Sequence, residues 1–280
     1  MNLDLSTVGQ RTEAFPFEYD FHQTILYALG VGARKEELDF LYEGRGPKVL
    51  PSFAVVPSYA ATAVLFERTR SDLTRLLHQA QTVRLHRPLP AAAKLETVGI
   101  VKGIYDMKRF AQIVLVTEST CRGELLFETE WTLIVRDAGN FGGPRPPKSE
   151  IFRPESGQEP AFKTEASTSP EQALLYRLCG DLNPLHADPE FAQAAGFNEG
   201  PILHGLCTFG VATRAIVQHL GGDVGRVRSL SAQFRKPVWP GDTIRTEGYA
   251  LANGRLAFEA FAADRPDPVL TQGLVELNPV

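Results

Sequence analysis

Residues 172–186 read Gln-Ala-Leu-Leu-Tyr-Arg-Leu-Cys-Gly-Asp-Leu-Asn-Pro-Leu-His. The start of this stretch matches residues 23–29, Gln-Thr-Ile-Leu-Tyr-Ala-Leu, which lie 149 positions earlier. At the same offset, Pro88 aligns with Pro237. Two separate matches at one offset indicate an internal repeat, so the chain is predicted to contain two copies of one structural plan.

The end of the stretch carries groups suited to proton chemistry. Asp181, Asn183 and His186 supply a carboxylate, an amide and an imidazole, and Pro184 forces the segment to turn. Residues 201–205, Pro-Ile-Leu-His-Gly, follow and open a further helix. An acid/base pair that faces a helix N-terminus predicts proton chemistry on a carbonyl compound.

The two copies differ at these positions. By the repeat offset, Asp181 aligns with Gly32 and His186 aligns with Glu37. The first copy therefore lacks the acid/base pair, and the second copy is predicted to keep the chemistry while the first keeps only the scaffold.

The segment between the copies has the composition of a linker. Residues 137–160 are rich in glycine, proline and charged residues. We predict an N-terminal half over residues 1–140, a linker over 141–160 and a catalytic C-terminal half over 161–280.

Helices followed by strands are predicted in the second half. Ser169, Pro170 and Gln172 are typical of a capped helix start, and Gly180 is typical of a helix end. Further predicted elements are a short helix from Asp188 to Gly196, a long helix from Gly205 to Leu220, and strands over 227–234, 243–251, 255–263 and 269–277. In the first half, strands are predicted over 81–85, 94–104, 113–118 and 125–136. This order predicts an α+β layer in which one long helix lies across a curved antiparallel sheet.

Composition excludes several classes of protein. The 280 residues suffice for two domains, and 43% hydrophobic with 22% charged residues is an ordinary globular balance. A net charge of -4 argues against nucleic acid as the main partner. Three widely spaced cysteines, Cys121, Cys179 and Cys207, form neither a disulfide framework nor a zinc pattern. With no secretory signal, membrane-spanning run or C-terminal peroxisomal address in view, a cytoplasmic location away from membranes is expected.

Several motifs resemble those of one enzyme family. Residues 176–188 closely resemble the signature of the MaoC-like (R)-specific 2-enoyl-CoA hydratases of the hydratase 2 type, and residues 201–210 are similar to the same family. So are residues 28–32 and 102–106 in the first half. The resemblance covers nearly the whole chain and implies a double hot-dog fold, with each half wrapping a sheet around a central helix. It also implies that the degenerate first half makes room for a bulky acyl chain.

This resemblance implies hydration of trans-2-enoyl-CoA to (3R)-3-hydroxyacyl-CoA, and the reverse dehydration. Asp181 and His186 are expected to share one water and to add it to one face of the double bond. Asn183 is expected to fix the loop or orient the water, and the N–H near Gly205 to hold the thioester oxygen. No metal or other cofactor is expected beyond the CoA of the acyl-CoA substrate, and a homodimer is expected.

Further residues are assigned from the resemblance. The expected substrate contacts are His78, Gln79, Lys108, Leu182, Pro184, Leu185, Gln233 and Arg235. The expected supporting residues are Arg177, Tyr176 and Glu43. A solvated surface position is the alternative for His78, Arg177 and Glu43. His204 is expected to anchor a loop rather than to act in catalysis.

The chain departs from the family pattern at two CoA contacts. Gln233-Phe234 stands where the family usually has Arg-Phe, and residues 106–110 replace an Asp-Lys-Gly pattern. Lys108 can supply the positive charge of the Asp-Lys-Gly pattern one position later in the chain. Strand alternation places Arg235 on the same face of its strand as Gln233.

Other functions stay open at this point. The nearest alternatives are a dehydratase or hydratase that acts on a carrier-protein thioester or a steroid side-chain CoA ester, and a hot-dog thioesterase. A non-catalytic alternative is an acyl-CoA-binding module, against which the acid/base pair counts. The chain contains no Gly-x-Gly-x-x-Gly dinucleotide motif and no Gly-x-Ser-x-Gly nucleophile elbow. Acyl-chain length and pathway stay undetermined.

Overall fold

The computed structural model describes residues 3–72, 75–148, 152, 154, 157–262 and 265–279. The strands in this part of the chain are β1 (Phe15–Tyr19), β2 (Leu76–Leu85), β3 (Ala93–Met107), β4 (Phe110–Cys121), β5 (Glu124–Arg136), β6 (Phe162–Ser167), β7 (Val227–Phe234), β8 (Thr243–Leu251), β9 (Arg255–Ala262) and β10 (Pro268–Leu277). The α-helices are α1 (Phe21–Gly30), α2 (Leu38–Leu41), α3 (Tyr59–Arg68), α4 (Gln172–Tyr176), α5 (Pro189–Ala194) and α6 (Gly205–His219). Among these described helices, none has the length and apolar composition that crossing a bilayer requires.

These strands form a single antiparallel sheet in the order β1-β3-β4-β5-β2-β7-β10-β9-β8-β6. The order of β6 to β10 mirrors that of β1 to β5. Strands β2 and β7 join the two halves, with register pairs that run from Ala80 opposite Gln233 to Arg84 opposite Ser229. The mirrored order confirms the α+β class and the two copies that the repeat predicts.

Each half packs a central helical segment on its own strands. Helix α6 contacts β7 and β8, whereas α3 contacts β3 and β4. Every residue of α6 from Leu206 to Val217 is buried, so this helix runs through the core instead of lying on its surface. A Cβ added at Gly210 would lie 2.3 Å from Cγ1 of Val31, so glycine is what allows α6 to approach the first half.

Several predicted elements are confirmed, while one helix starts later than predicted. β7 and β8 have their predicted bounds, and Gly180 ends its helical segment with φ 126°. Helix α4 begins at Gln172, and Ser169 does not cap it. The Gln172 amide accepts a hydrogen bond from the Ser169 N–H at 3.3 Å and donates to the carbonyls of Leu29 and Gly30 at 3.1 and 2.7 Å. This contact with the first half, which sequence patterns do not show, fixes the start of the helix.

The first-half strands are longer than predicted. β2 begins at Leu76 rather than at residue 81. A bulge at His78 and Gln79 interrupts the alternation of side chains that predicts a strand, so the pattern shows only its second part. β3 and β4 extend to Met107 and Phe110 and meet in a tight hairpin. In the second half, residue 263, the predicted end of β9, lies outside the described residues.

Hydrogen bonds to Asp106 hold the start of the predicted linker against this hairpin. One carboxylate oxygen of Asp106 accepts the N–H groups of Lys108 and Asn140 at 2.8 and 3.0 Å, and the other accepts that of Gly142 at 2.8 Å. Burial alone would raise the pKa of Asp106, but these hydrogen bonds lower it. Residues 149–151, 153, 155 and 156 of the linker lie outside the described residues, and its limits at 141 and 160 stay a prediction.

Candidate functional site

The loop that follows Gly180 is shaped by short-range hydrogen bonds. The Asp181 carboxylate accepts the N–H of Asn183 at 3.2 Å, and the Asn183 side-chain oxygen accepts the N–H of Leu185 at 3.0 Å. The second bond caps a short 3-10 turn over Pro184–His186. Asn183 therefore fixes the loop, which is one of the two roles that the sequence suggests for it.

His186 lies at the buried end of this loop. Its side chain is 8% exposed, and its Nδ1 is 2.8 Å from the carbonyl oxygen of Ile202. Because a carbonyl only accepts, Nδ1 carries the proton and Nε2 presents a lone pair. Burial lowers the pKa of His186, opposed by the Ile202 hydrogen bond and by the charge of Asp181. A neutral imidazole with a free Nε2 is suited to act as a base.

A second histidine lies directly against the first. The rings of His204 and His186 are stacked, with centroids 3.7 Å apart. His204 is 1% exposed, and its Nε2 donates to the backbone carbonyl of Asp181 at 3.1 Å. Burial, together with the neighbouring His186, lowers the pKa of His204 to about 2, so this ring stays neutral.

The structure brings Asp181 and His186 together. Potential ligand atoms of Asp181, His186 and His204 all lie within 4.8 Å of one another. A water that bonds to two of these groups at about 2.8 Å each spans such a gap. The same three groups form a cluster that could hold a metal ion, but an ion lies in the plane of each imidazole that binds it. Because these two rings are stacked face to face, the arrangement suits a shared water better, and the absence of a required cofactor stays a prediction.

The N-terminus of α6 adjoins this cluster. The helix begins at Gly205, directly after His204, and its first-turn N–H groups have no partners within the helix. Gly205 is exposed, and a Cβ added to it would lie 3.1 Å from Cδ1 of Phe234. An exposed first-turn amide beside an acid/base pair can hold an oxygen on which negative charge develops.

An aromatic wall extends from Phe234 to the first half. Ring centroids are 4.7 Å apart for Phe234 and His78, 5.0 Å for His78 and Trp131, and 5.9 Å for Trp131 and Tyr59. Burial lowers the pKa of His78 to about 4, and its Nε2 lies 3.1 Å from the carbonyl of Ala80. His78 is therefore a neutral, packed ring and not a cationic contact for phosphate.

Some of the other predicted residues lie on or beside the loop, and the rest lie near the β2–β7 junction or on the exposed surface. Tyr176 is fully buried against His204, with ring centroids 4.9 Å apart, and Arg177 donates to the Leu182 carbonyl at 3.5 Å. Leu182 and Pro184 are exposed on the loop beside the half-buried Leu185. Gln79 accepts from the Gln112 amide at 2.9 Å in the β2 bulge, and Gln233 lies opposite Ala80. In the part of the chain that the structure describes, no contact joins the exposed Lys108, Arg235 or Glu43 to Asp181, His186 or His204.

Tyr59 is a site residue that sequence reasoning missed. Its ring packs against Gly180, where an added Cβ would lie 3.1 Å from Cδ2 of the ring. Burial raises the pKa of Tyr59, and so does the charge of Asp181. Because Tyr59 begins a helix of the other repeat, no local spacing connects it with the loop.

The first copy uses its equivalent positions structurally. Glu37, which aligns with His186, accepts hydrogen bonds from Arg214 at 2.6 Å and from Gln218 at 2.7 Å. The side chains of Glu37 and Arg214 are 14% and 6% exposed. The first half thus holds α6 by a buried ion pair where the second half has its imidazole.

Two family models match the chain, one in each half. The MaoC like domain matches residues 152–258, and the MFE-2 hydratase 2 N-terminal domain matches residues 17–137.

Two similar proteins and one solved structure match over nearly their whole length. The 3-hydroxyacyl-thioester dehydratase Y of Mycobacterium tuberculosis is 41% identical over 293 residues, which cover 99% of both chains. A probable enoyl-CoA hydratase 2 of Dictyostelium discoideum is 33% identical over 95% of this chain and 94% of its own. The crystal structure of a MaoC-like dehydratase from Phytophthora capsici is 28% identical, with a TM-score of 0.88 over 99% of this chain and 98% of that chain.

Proposed function

We propose that this chain, which belongs to the MaoC-like hydratase 2 family, adds water to trans-2-enoyl-CoA to give (3R)-3-hydroxyacyl-CoA and catalyses the reverse dehydration. The observation that carries the proposal is the approach of Asp181 and His186 beside the first turn of α6. Relatives named as an enoyl-CoA hydratase 2 and as a 3-hydroxyacyl-thioester dehydratase support both directions of one reaction.

In the proposed mechanism, Asp181 and His186 hold one water between them. The free Nε2 of His186 takes a proton as the water oxygen attacks the β-carbon of the double bond. Nε2 of His186 then returns that proton to the α-carbon from the same side, so that hydrogen and hydroxyl add to one face and the imidazole is neutral again. General acid/base groups of this kind contribute about 10²–10⁴-fold to the rate.

The first turn of α6 completes the mechanism. Attack at the β-carbon moves negative charge onto the thioester oxygen. The Gly205 N–H and the positive end of the helix dipole stabilise that oxygen, and the absence of a side chain at Gly205 lets the thioester approach. Removal of one such donor typically costs about 10²–10³-fold in kcat.

The substrate is proposed to reach the site across the junction of the halves. The wall from Phe234 to Tyr59 is aromatic, so an acyl group can pack on its rings, and it continues into the first half. Arg235 and Lys108 are exposed cations for the CoA phosphates, while Gln79 and Gln233 offer neutral polar contacts near the β2–β7 junction. The reaction needs no added cofactor in this proposal, and the enzyme acts as a homodimer.

Hydration of crotonyl-CoA and of a long-chain enoyl-CoA, followed by chiral analysis of the product, tests the proposal. We expect the (3R) product, no release of free thiol, and a loss of about 10²–10⁴-fold in kcat for Asp181→Asn. The exposed carboxylate variant Glu190→Gln is the matched control and should keep wild-type activity. Thiol release would support a thioesterase instead, and full hydration activity in Asp181→Asn would refute the mechanism.

The same assay separates the alternative substrates. Carrier-protein and steroid side-chain thioesters contain the same reacting atoms. The first differ in the group that bears the thiol, and the second differ in the acyl group. Comparable turnover on pantetheine and CoA esters would show that the exposed cations do not select the CoA phosphates. Binding without turnover on all of these esters would support a non-catalytic binding module.

A further inference from the structure

We propose that His204 is a positioning residue that fixes the distance between the acid/base loop and the oxyanion site at the N-terminus of α6. This inference rests on the proposed function and deepens it. His204 sits one residue before Gly205, and its side chain reaches back to the loop that carries Asp181 and His186.

The two residues before His204 are held by hydrogen bonds to other parts of the chain. The N–H of Leu203 donates to the carbonyl of Val238 at 2.7 Å, and the carbonyl of Ile202 accepts from His186. Helix α6 then begins at Gly205 and is buried from Leu206 to Val217. The backbone around His204 is therefore held by the core and by a neighbouring loop, and it offers a rigid base from which a side chain can position another group.

His204 contacts the acid/base loop in two ways. Its Nε2–H donates to the backbone carbonyl of Asp181 at 3.1 Å, and its ring stacks on His186 at 3.7 Å. Tyr176 packs on the ring at 4.9 Å, so the imidazole has little freedom to turn. One side chain therefore sets the position of the carboxylate-bearing residue and of the imidazole at the same time.

His204 itself is not suited to proton transfer. Its Nε2 proton is used in the bond to Asp181, and its Nδ1 is buried without a hydrogen-bond partner among the described residues. A group that stays neutral and keeps one proton in a fixed bond cannot exchange protons with substrate in the working pH range. Its effect on the reaction therefore acts through Asp181 and His186.

Three substitutions separate the two contacts. His204→Gln keeps an N–H donor near the position of Nε2 and removes the ring. His204→Phe keeps a ring against His186 and removes the donor, and His204→Asn has an amide too short to reach the Asp181 carbonyl. His219→Phe, on the exposed end of the same helix, is the control.

The expected result is a loss in kcat with little change in KM. For His204→Phe and His204→Asn we expect kcat to fall about 10²-fold, the loss typical of a displacement near 1 Å, while KM stays within about threefold. His204→Gln should recover most of kcat, and His219→Phe should match wild type. A role limited to folding would lower thermal stability in parallel in all three variants and would not produce rescue by glutamine.

Either of two results would overturn the proposal. The first is wild-type kcat in folded His204→Phe or His204→Asn, and the second is a His204→Gln variant no more active than His204→Phe. If His204→Phe or His204→Asn fails to fold, the one that folds is compared with His204→Gln. Asp181→Asn measured beside them keeps the two proposals apart, because an active Asp181→Asn rejects the proposed function, whereas an inactive one with an active His204→Phe rejects only the positioning role.

Discussion

Acid should unfold this protein early, because the site region buries neutral histidines. Burial lowers the pKa of His78 to about 4 and that of His204 to about 2, from an ordinary value of 6.5. Burial lowers the pKa of His186 as well. Between these folded-state values and 6.5, the unfolded chain binds protons that the folded chain does not. The free energy of unfolding therefore falls as pH falls through 6.5, and it continues to fall until the folded-state pKa is reached.

The size of the effect follows from these shifts. Each pH unit in this window costs about 1.36 kcal/mol for each histidine that stays neutral in the folded state. At pH 5, which is 1.5 units below the ordinary value, His78 and His204 each cost about 2 kcal/mol, or about 4 kcal/mol together. His186 acts in the same direction. A loss of this size is a large part of the total of about 5–15 kcal/mol that is typical for a folded domain.

Urea unfolding at pH 8, 7, 6 and 5 measures this loss. The variant His78→Phe keeps an aromatic ring between Trp131 and Phe234, and it should reduce the difference between pH 8 and pH 5 by about 2 kcal/mol. His219→Gln, at an exposed position, is the control and should leave the difference unchanged. A free energy of unfolding that stays flat from pH 8 to pH 5, or an unchanged difference in His78→Phe, would show that these rings are not held neutral in the folded protein.

Three further substitutions test the packing of the two halves and the proposed oxyanion site. Arg214→Met should lower the free energy of unfolding by about 3–5 kcal/mol, because it leaves Glu37 charged and buried, and urea titration against the exposed-pair variant Arg228→Met measures the excess. Gly210→Ala should cost about 1–3 kcal/mol, although alanine favours helices, because its Cβ would overlap Val31; a rise in melting temperature would contradict the close approach of α6. Gly205→Ala should lower kcat while leaving the melting temperature nearly unchanged, because its Cβ would lie 3.1 Å from Phe234 beside the proposed oxyanion site. Equal activity in the alanine variant would argue that the thioester lies elsewhere.

The loop that carries Asp181 and His186 was predictable because its structure is largely local. Asn183 caps the turn made by Pro184, and Gly180 ends the preceding helical segment in a conformation that favours glycine. These short-range rules act between residues a few positions apart, so the residue types reveal them. The bounds of β7 and β8 were predictable for a similar reason, since alternation of apolar and polar residues records which face of a strand is buried.

The contacts around that loop were not predictable from spacing. Tyr59 and Trp131 come from the first half, and the Gln172 side-chain N–H donates to the carbonyls of Leu29 and Gly30 at the end of α1. The position of His78 between Trp131 and Phe234 is a further contact of this kind, and its role as a substrate contact stays a prediction. The contact of His78 with Phe234 depends on the pairing of β2 with β7, which brings together residues that lie about half the chain apart.

The sequence alone determined the repeat, the α+β class, the polar loop and the helix that starts at Gly205, because periodicity, capping and turn chemistry are properties of neighbouring residues. Only the tertiary structure decided that His204 bonds to Asp181, that Glu37 holds Arg214, and that the wall of the site comes from both halves. The physical reason is that burial and long-range hydrogen bonds depend on which surfaces meet, and that is set by the packing of the two halves against each other.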